Sequence, residues 1–227
     1  TPACYTLSVS LDGKVAAETL FGFRRFVLEN GLMKINGKRI VFRGVNRHEF
    51  SRRQGRALSE QDMLWDIRTL KSNNINAVRT SHYPNNSLWY RLCDRYGLYL
   101  IDETNLETHG TWMVMGKVLP ENALPSNREE WQPACLDRAP SLLERDKNHA
   151  CVLFWSCGNE SYGGSVLHAM SQFFRTRGPD RPVHYEGIFH DRRYNDTSDV
   201  ESQMYTTAAN VADWLNTHDD KPFILCE

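Results

Sequence analysis

Two glutamates stand out by their positions. Glu160 comes just after the apolar run 152–155 and directly after Asn159, and Glu227 ends a second apolar run, Phe223-Ile224-Leu225-Cys226. A carboxylate at the end of a buried strand points into whatever lies beyond the strand's C-terminal edge. Two of them facing each other suit glycoside hydrolysis, where a separation of about 5–5.5 Å gives retention and about 6.5–9.5 Å gives inversion. Further polar clusters follow other apolar runs: Asn46-Arg47-His48-Glu49, Arg79-Thr80-Ser81-His82-Tyr83, Asp102-Glu103-Thr104-Asn105 with Glu107 and His109 beyond, and Tyr205. Each has a duller reading in isolation. An Asn-Glu pair is common in loops, and His48 and His82 could pack a rim. Arg79 could simply neutralise Asp102 or Glu103, because buried carboxylates need a cation. Phe154, Trp155 and Tyr99 read as core, and His149, His168, His184, His190 and His218 as surface or helix-end residues.

The elements that must position these groups are legible as a rhythm. Short apolar runs at 40–45, 75–80, 98–102, 151–156, 183–186, 202–205 and 223–227 read as seven strands. Between them, Ser59 with Asp62 forms a capping box ahead of Met63, Leu64, Ile67 and Leu70, and a second helix over Leu88, Trp89, Leu92 and Tyr96 stops at Gly97. The longest helical section, 128–147, carries Pro133 and Pro140, which predicts a kink or two short helices. Repeated strand-helix units imply a parallel sheet. An open doubly wound sheet would normally carry a Gly-rich phosphate loop, and none is found; a closed (β/α)₈ barrel gathers chemistry at its strand ends. The expected fold is therefore an α/β barrel with seven of eight strands inside residues 29–227 and the eighth beyond. Residues 1–28 alternate polar and apolar side chains like half-buried strands at the tail of a small β domain, and 32–39 reads as a hairpin turning at Asn36-Gly37. The last run ends without a turn or cap, as in a truncated chain.

Composition bounds the rest. With 227 residues, 41% hydrophobic and 24% charged, and a formal net charge of −1, the chain can bury a core and has no electrostatic bias toward nucleic acid or an anionic membrane. No run approaches the roughly 18 apolar residues of a membrane span. The six cysteines have no metal-type spacing and read as reduced, mostly buried thiols of a cytoplasmic protein.

The strings RGVNRHEF, VRTSHYPN, LCDRYGLYLIDETNLETHG, RDKNH, WSCGNES and FILCE, in that order, closely resemble the catalytic domain of bacterial β-galactosidases of glycoside hydrolase family 2. The resemblance implies a retaining mechanism with Glu160 as acid/base and Glu227 as nucleophile. Tyr205 is the implied hydrogen-bond donor to the nucleophile, Arg79 the cation that keeps it ionised, and Asn159 the partner of the sugar 2-hydroxyl. His48 and His82 would line the galactose site. Glu107, His109 and Glu160 are the implied Mg²⁺ ligands, with Na⁺ a second ion in the complete enzyme. The resemblance also makes residues 1–28 the tail of an immunoglobulin-like sandwich and the full-length parent a homo-oligomer acting on β-galactosides. Cys157 and Tyr162-Gly163-Gly164 depart from the pattern without removing either carboxylate.

Two alternatives stay open. Another family activity such as β-glucuronidase shares the Asn-Glu and His-Tyr-Pro segments, although RGVNRHEF and ETHG favour galactosidase. The other is an inactive fragment, since a barrel lacking its last unit leaves two strand edges unpaired; the 227 residues alone are expected to turn over little substrate.

Overall fold

A computed structural model describes residues 3–227. The chain begins with an antiparallel hairpin, β1 (Tyr5–Leu11) and β2 (Lys14–Phe21), every residue of which is exposed. The alternation of Tyr5, Leu7, Val9 and Leu11 predicts a half-buried face. Nothing in the described chain covers that face.

A three-stranded meander follows: β3 (Phe26–Glu29), β4 (Leu32–Ile35) and β5 (Lys38–Arg39), with Asn36 and Gly37 both at positive φ in the tight turn. Arg24 ties this entrance to the rest of the chain by donating to the carbonyls of Ala150 at 2.8 Å and Val152 at 2.7 Å.

All seven anticipated barrel strands form. They are β6 (Gly44–Arg47), β7 (Ala77–Thr80), β8 (Tyr99–Glu103), β11 (Val152–Ser156), β12 (Val183–His184), β13 (Glu201–Gln203) and β14 (Phe223–Leu225). A short hairpin, β9 (Met113–Val114) and β10 (Lys117–Val118), lies between β8 and β11. Strands β12-β11-β8-β7-β6 make one parallel sheet, and β13 pairs β14 in parallel. The backbone N–H of Asp199 donates to Val183 O at 2.8 Å, carrying the wall from β12 toward β13, and Asn46 Nδ2 reaches Cys226 O at 2.8 Å across from β14 to β6. The first strand starts four residues later than its apolar run suggests. Ile40 and Phe42 belong instead to a floor of side chains around Phe26 and Phe154.

Helices coat the wall: α1 (Glu60–Ser72), α2 (Ser87–Tyr96), α3 (His109–Trp112), α4 (Gln132–Asp146), α5 (Ser165–Arg177) and α6 (Ala208–Thr217). The Ser59–Asp62 capping box is present, and Gly97 ends α2 in the left-handed conformation. The expected break in 128–147 is not at Pro140, which sits inside one 15-residue helix; a 3₁₀ turn over Glu129–Trp131 precedes it, and Pro133 falls in the first turn, where a missing N–H costs nothing.

Strand parity divides the side chains between two cores. Val78, Leu100 and Trp155 point outward against Met63, Ile67, Trp89, Leu142 and Phe174 of the helices. Tyr99, Ile101 and Phe154 point the other way, onto the meander, where Phe26 and Phe154 meet edge-on at 5.1 Å. The floor is thus built from β3–β5. Replacing Phe154 with Ala should cost about 3–5 kcal/mol by opening a cavity at this junction, read as a lowered midpoint in chemical denaturation followed by tryptophan fluorescence.

Candidate active site

The parity that buries Ile101 and Phe154 in the floor places polar side chains one step further along the same strands. Asn46, Arg79, Glu103, Ser156, His184 and Ser202 form a polar layer above it. Arg79 is its centre, 3% exposed. Its Nε donates to Glu103 Oε2 at 2.7 Å, Nη2 to Glu103 Oε1 at 3.1 Å and to Asn159 Oδ1 at 2.8 Å, and Nη1 to Glu227 Oε1 at 2.9 Å. Burial alone would depress this guanidinium; Glu103 more than reverses that, and Arg79 is held above its ordinary range.

Burial would likewise raise Glu103, yet Arg79, His82 and Ser156 bring it down to about 2. His82 Nδ1 lies 3.0 Å from Glu103 Oε1 and its Nε2 3.4 Å from Glu227 Oε1, so one imidazole spans both carboxylates. Ser156 Oγ donates to Glu103 Oε2 at 2.7 Å, and His184 continues the chain to Ser156 and Ser202 at 3.0 and 2.9 Å. His184 is therefore an interior residue, not a surface or helix-end one; burial and the charge of Arg79 lower it to about 3, which keeps it neutral. His190 is a helix-end residue, the last of a 3₁₀ helix over Glu186–His190, and His149 is partly buried three residues past the end of α4. His149 Nδ1 pairs with Asp94 at 2.6 Å, and His190 stacks on Tyr162 and lies edge-on to Trp112.

Glu227 is partly buried and doubly held: the Tyr205 hydroxyl donates to its Oε2 at 2.6 Å while Arg79 binds Oε1. That bond, followed by burial and charge repulsion, pushes the Tyr205 phenol up to about 12, so it remains a donor. Tyr205 lies two residues past β13 at φ 52°. His48 is exposed on the rim with its ring 5.2 Å from that of His82.

Glu160 occupies the opposite side of the mouth. Its carboxyl is half-buried, and burial raises it; His109, whose Nδ1 is 3.1 Å from Oε2, opposes this, while Glu107 and Glu227 add to it. Glu107 and Asn159 pair as an isolated parallel bridge, which brings the loop after β8 against the loop after β11. Gly158 permits this approach: at φ 141°, a Cβ there would stand 2.6 Å from Leu106 O. A cavity of about 760 Å³ runs from His48 and His82 past Glu107 and His109 to Trp131.

All nine anticipated site residues thus gather at one end of the barrel, but Glu107 is exposed, and Glu107, His109 and Glu160 do not bring one donor atom each to within 4.8 Å of the others. Among the described residues, the trio that brings one donor atom each to within 4.8 Å is Asp94, His149 and Cys151, around α2 and the start of β11. As donors, Glu107, His109 and Glu160 still fit a divalent cation. Two carboxylates that repel each other, one of them with an imidazole nitrogen at 3.1 Å, are what a cation would stabilise. Three residues of the site carry no signal in the sequence beyond their type: Glu186, Trp112 and His190; for Glu103 the sequence offers the pairing with Arg79 but not the one with His82.

The family model for the TIM barrel domain of glycosyl hydrolases family 2 matches residues 26–227. The chain belongs to that family. It is 59% identical over 206 residues to a β-galactosidase of Halalkalibacterium halodurans, covering 91% of this chain and 20% of that one, and 53% identical over 232 residues to a β-galactosidase of Clostridium acetobutylicum, covering 100% and 26%. The chain thus spans about a fifth to a quarter of these family 2 relatives. Among solved structures, a β-glucuronidase of Faecalibacterium prausnitzii superposes with a TM-score of 0.82 at 26% identity, covering 99% of this chain and 40% of that one.

The depressed Glu103 makes the family 2 barrel acid-sensitive in a defined window. Its folded value, about 2, lies below the ordinary 4.5, so its contribution to stability is full above about 4.5 and is lost as pH falls toward 2. Thermal unfolding against pH should show this limb, and Glu103→Gln should flatten it.

Proposed function

We propose that this chain is the catalytic barrel of a retaining β-galactosidase that removes terminal non-reducing β-D-galactose. The observation that carries the proposal is the asymmetry of two carboxyls at one mouth: Glu227 bonded by Arg79 and Tyr205, and Glu160 raised by burial and its acidic neighbours. The first environment fixes the oxygens of a nucleophile in place, and the second favours the proton a general acid needs. The β-galactosidase names of the 59% and 53% identical relatives supply the sugar.

In the first step a Glu227 oxygen attacks the anomeric carbon as the bond to the leaving oxygen breaks, and Glu160 gives that oxygen its proton. In the second, Glu160 takes a proton from water, whose oxygen attacks the anomeric carbon and releases Glu227. On this reading Asn159, fixed by Arg79, binds the 2-hydroxyl, and His48 and His82 bind other hydroxyls. Mg²⁺ held by Glu107, His109 and Glu160 would supply positive charge that tunes Glu160 and relieves its repulsion from Glu107. Na⁺ in the complete enzyme, a homo-oligomeric parent and a cytoplasmic location complete the reading; five buried free thiols support the last. We infer also that β1–β2 is the tail of an immunoglobulin-like domain, supported by its exposed apolar side chains.

A glucuronidase is the second reading, favoured by the F. prausnitzii superposition. The full-length enzyme is expected to hydrolyse p-nitrophenyl β-galactoside well above the β-glucuronide; the reverse order would replace the first reading with the second. Glu160→Gln should lower kcat/KM on lactose by about 10²–10⁴-fold. Chelation with EDTA should depress activity, and added Mg²⁺ should restore it; unchanged rates after exhaustive chelation would remove the metal from this proposal.

A further inference from the structure

Glu160 is one of the non-glycine residues held at positive φ, at 34°, and Tyr162 two residues on is another at 61°. An L-residue leaves this region readily unless its surroundings fix it. The fixing groups are all on the page. Glu160 N–H donates to Glu186 Oε1 at 2.7 Å, and the next N–H, of Ser161, donates to the Tyr185 hydroxyl at 3.2 Å. On the other side Trp112 Nε1 donates to Glu160 O at 2.8 Å. The peptide units flanking the acid/base carboxyl are thus gripped through both the N–H and the C=O of Glu160. Gly187 lets the segment after β12 press this close, since a Cβ there would stand 2.6 Å from Tyr162 O.

Glu186 is 1% exposed. A buried carboxyl is a costly way to accept one backbone N–H, and an apolar side chain would fill the space more cheaply. Its retention beside the acid/base calls for a function that packing does not supply.

We infer that Glu186 is a positioning residue, which accepts the Glu160 N–H and thereby aims the Glu160 carboxyl at the glycosidic oxygen. This rests on the acid/base role given to Glu160 above. Hydrogen bonding separates Glu186 from the nucleophile side: it bonds the backbone of Glu160 and shares with Glu227 only the charge of Arg79, whereas Glu227 is oriented directly by Arg79, Tyr205 and His82. Loss of Glu186 should therefore damage proton donation and spare nucleophilic attack.

Leaving-group dependence reads that difference. Cleavage of a phenyl glycoside needs the general acid, whereas 2,4-dinitrophenolate departs without a proton, so its release depends on the nucleophile alone. The test uses the full-length enzyme and aryl β-glycosides of whichever sugar the wild type cleaves, galactose on the reading above. Glu186→Leu should lower kcat/KM for the phenyl glycoside by about 10- to 100-fold, the scale of an angstrom of misplacement, and leave the dinitrophenyl glycoside within about threefold. Glu186→Gln keeps an acceptor oxygen and should stay within about threefold on both. Glu186→Asp, which withdraws the oxygen by one methylene and disturbs packing least, should show a smaller loss confined to the phenyl substrate, and it decides the matter should the Leu variant not fold. Equal losses on both substrates, a Gln variant as impaired as Leu, or an Asp variant with wild-type rates on both would overturn the inference. Wild-type failure on galactosides with turnover of another sugar would instead correct the substrate and leave Glu186 open to the same comparison.

Discussion

The buried guanidinium of Arg79 is the constraint around which the rest is arranged. A cation 3% exposed needs charge and hydrogen bonds on every face, and Arg79 obtains them from β8 through Glu103, from the loop after β11 through Asn159, and from β14 through Glu227. Three segments far apart in the chain are thereby fixed relative to one another by one side chain. The price of burying this charge is met because Glu103 answers it with both oxygens, in the bidentate geometry that lysine could not reproduce.

An apolar layer lies beneath this arrangement. Phe26, Phe42 and Phe154 form that layer where the β3–β5 meander meets the barrel strands. Because Arg79, Glu103, Ser156 and His184 are themselves buried, their contacts operate at a low effective dielectric, and small differences in contact become large differences in protonation. Glu103, with Arg79 against it, is driven to about 2, whereas Glu186, buried with weaker compensation from the same arginine, is driven up to about 8. His184 is pushed to about 3 in the same layer. Residues of similar chemistry are thus sorted by a few ångströms of placement.

The two carboxyls of the mouth are held in different ways. Glu227 is oriented through its side chain by Arg79 and Tyr205. Glu160 is oriented through its backbone, at a left-handed φ maintained by Glu186 and Trp112 and made possible by glycines at 158 and 187 that let neighbouring chain approach. Positive φ values occur on both sides, at Glu160 and Tyr162 and at Tyr205, and the loop after β8 pairs with Asn159 next to the first of these.

Local signals were fully legible in the sequence. The Ser59 capping box, the Gly97 stop and the Asn36-Gly37 turn each depend on residues within a few positions, and each forms. Strand order and the identity of most strand-end polar residues were legible too, because six of the seven apolar runs of strand length are followed by reactive side chains. The start of β6 was not, since Ile40 and Phe42 are as apolar as strand residues and only the floor they pack against distinguishes them. The interior placement of His184 and the grip of Glu186 on Glu160 were likewise decided by tertiary structure alone, whereas for Arg79 the sequence already offered Asp102 or Glu103 and the fold chose Glu103. Each joins groups 18 to 28 residues apart, and which carboxyl keeps its proton depends on distance and burial, which no residue carries by itself. The sequence by itself determined which chemical groups arrive at the mouth and in what order; the fold decided what charge each holds there, because electrostatic energy is a property of the assembled pairs.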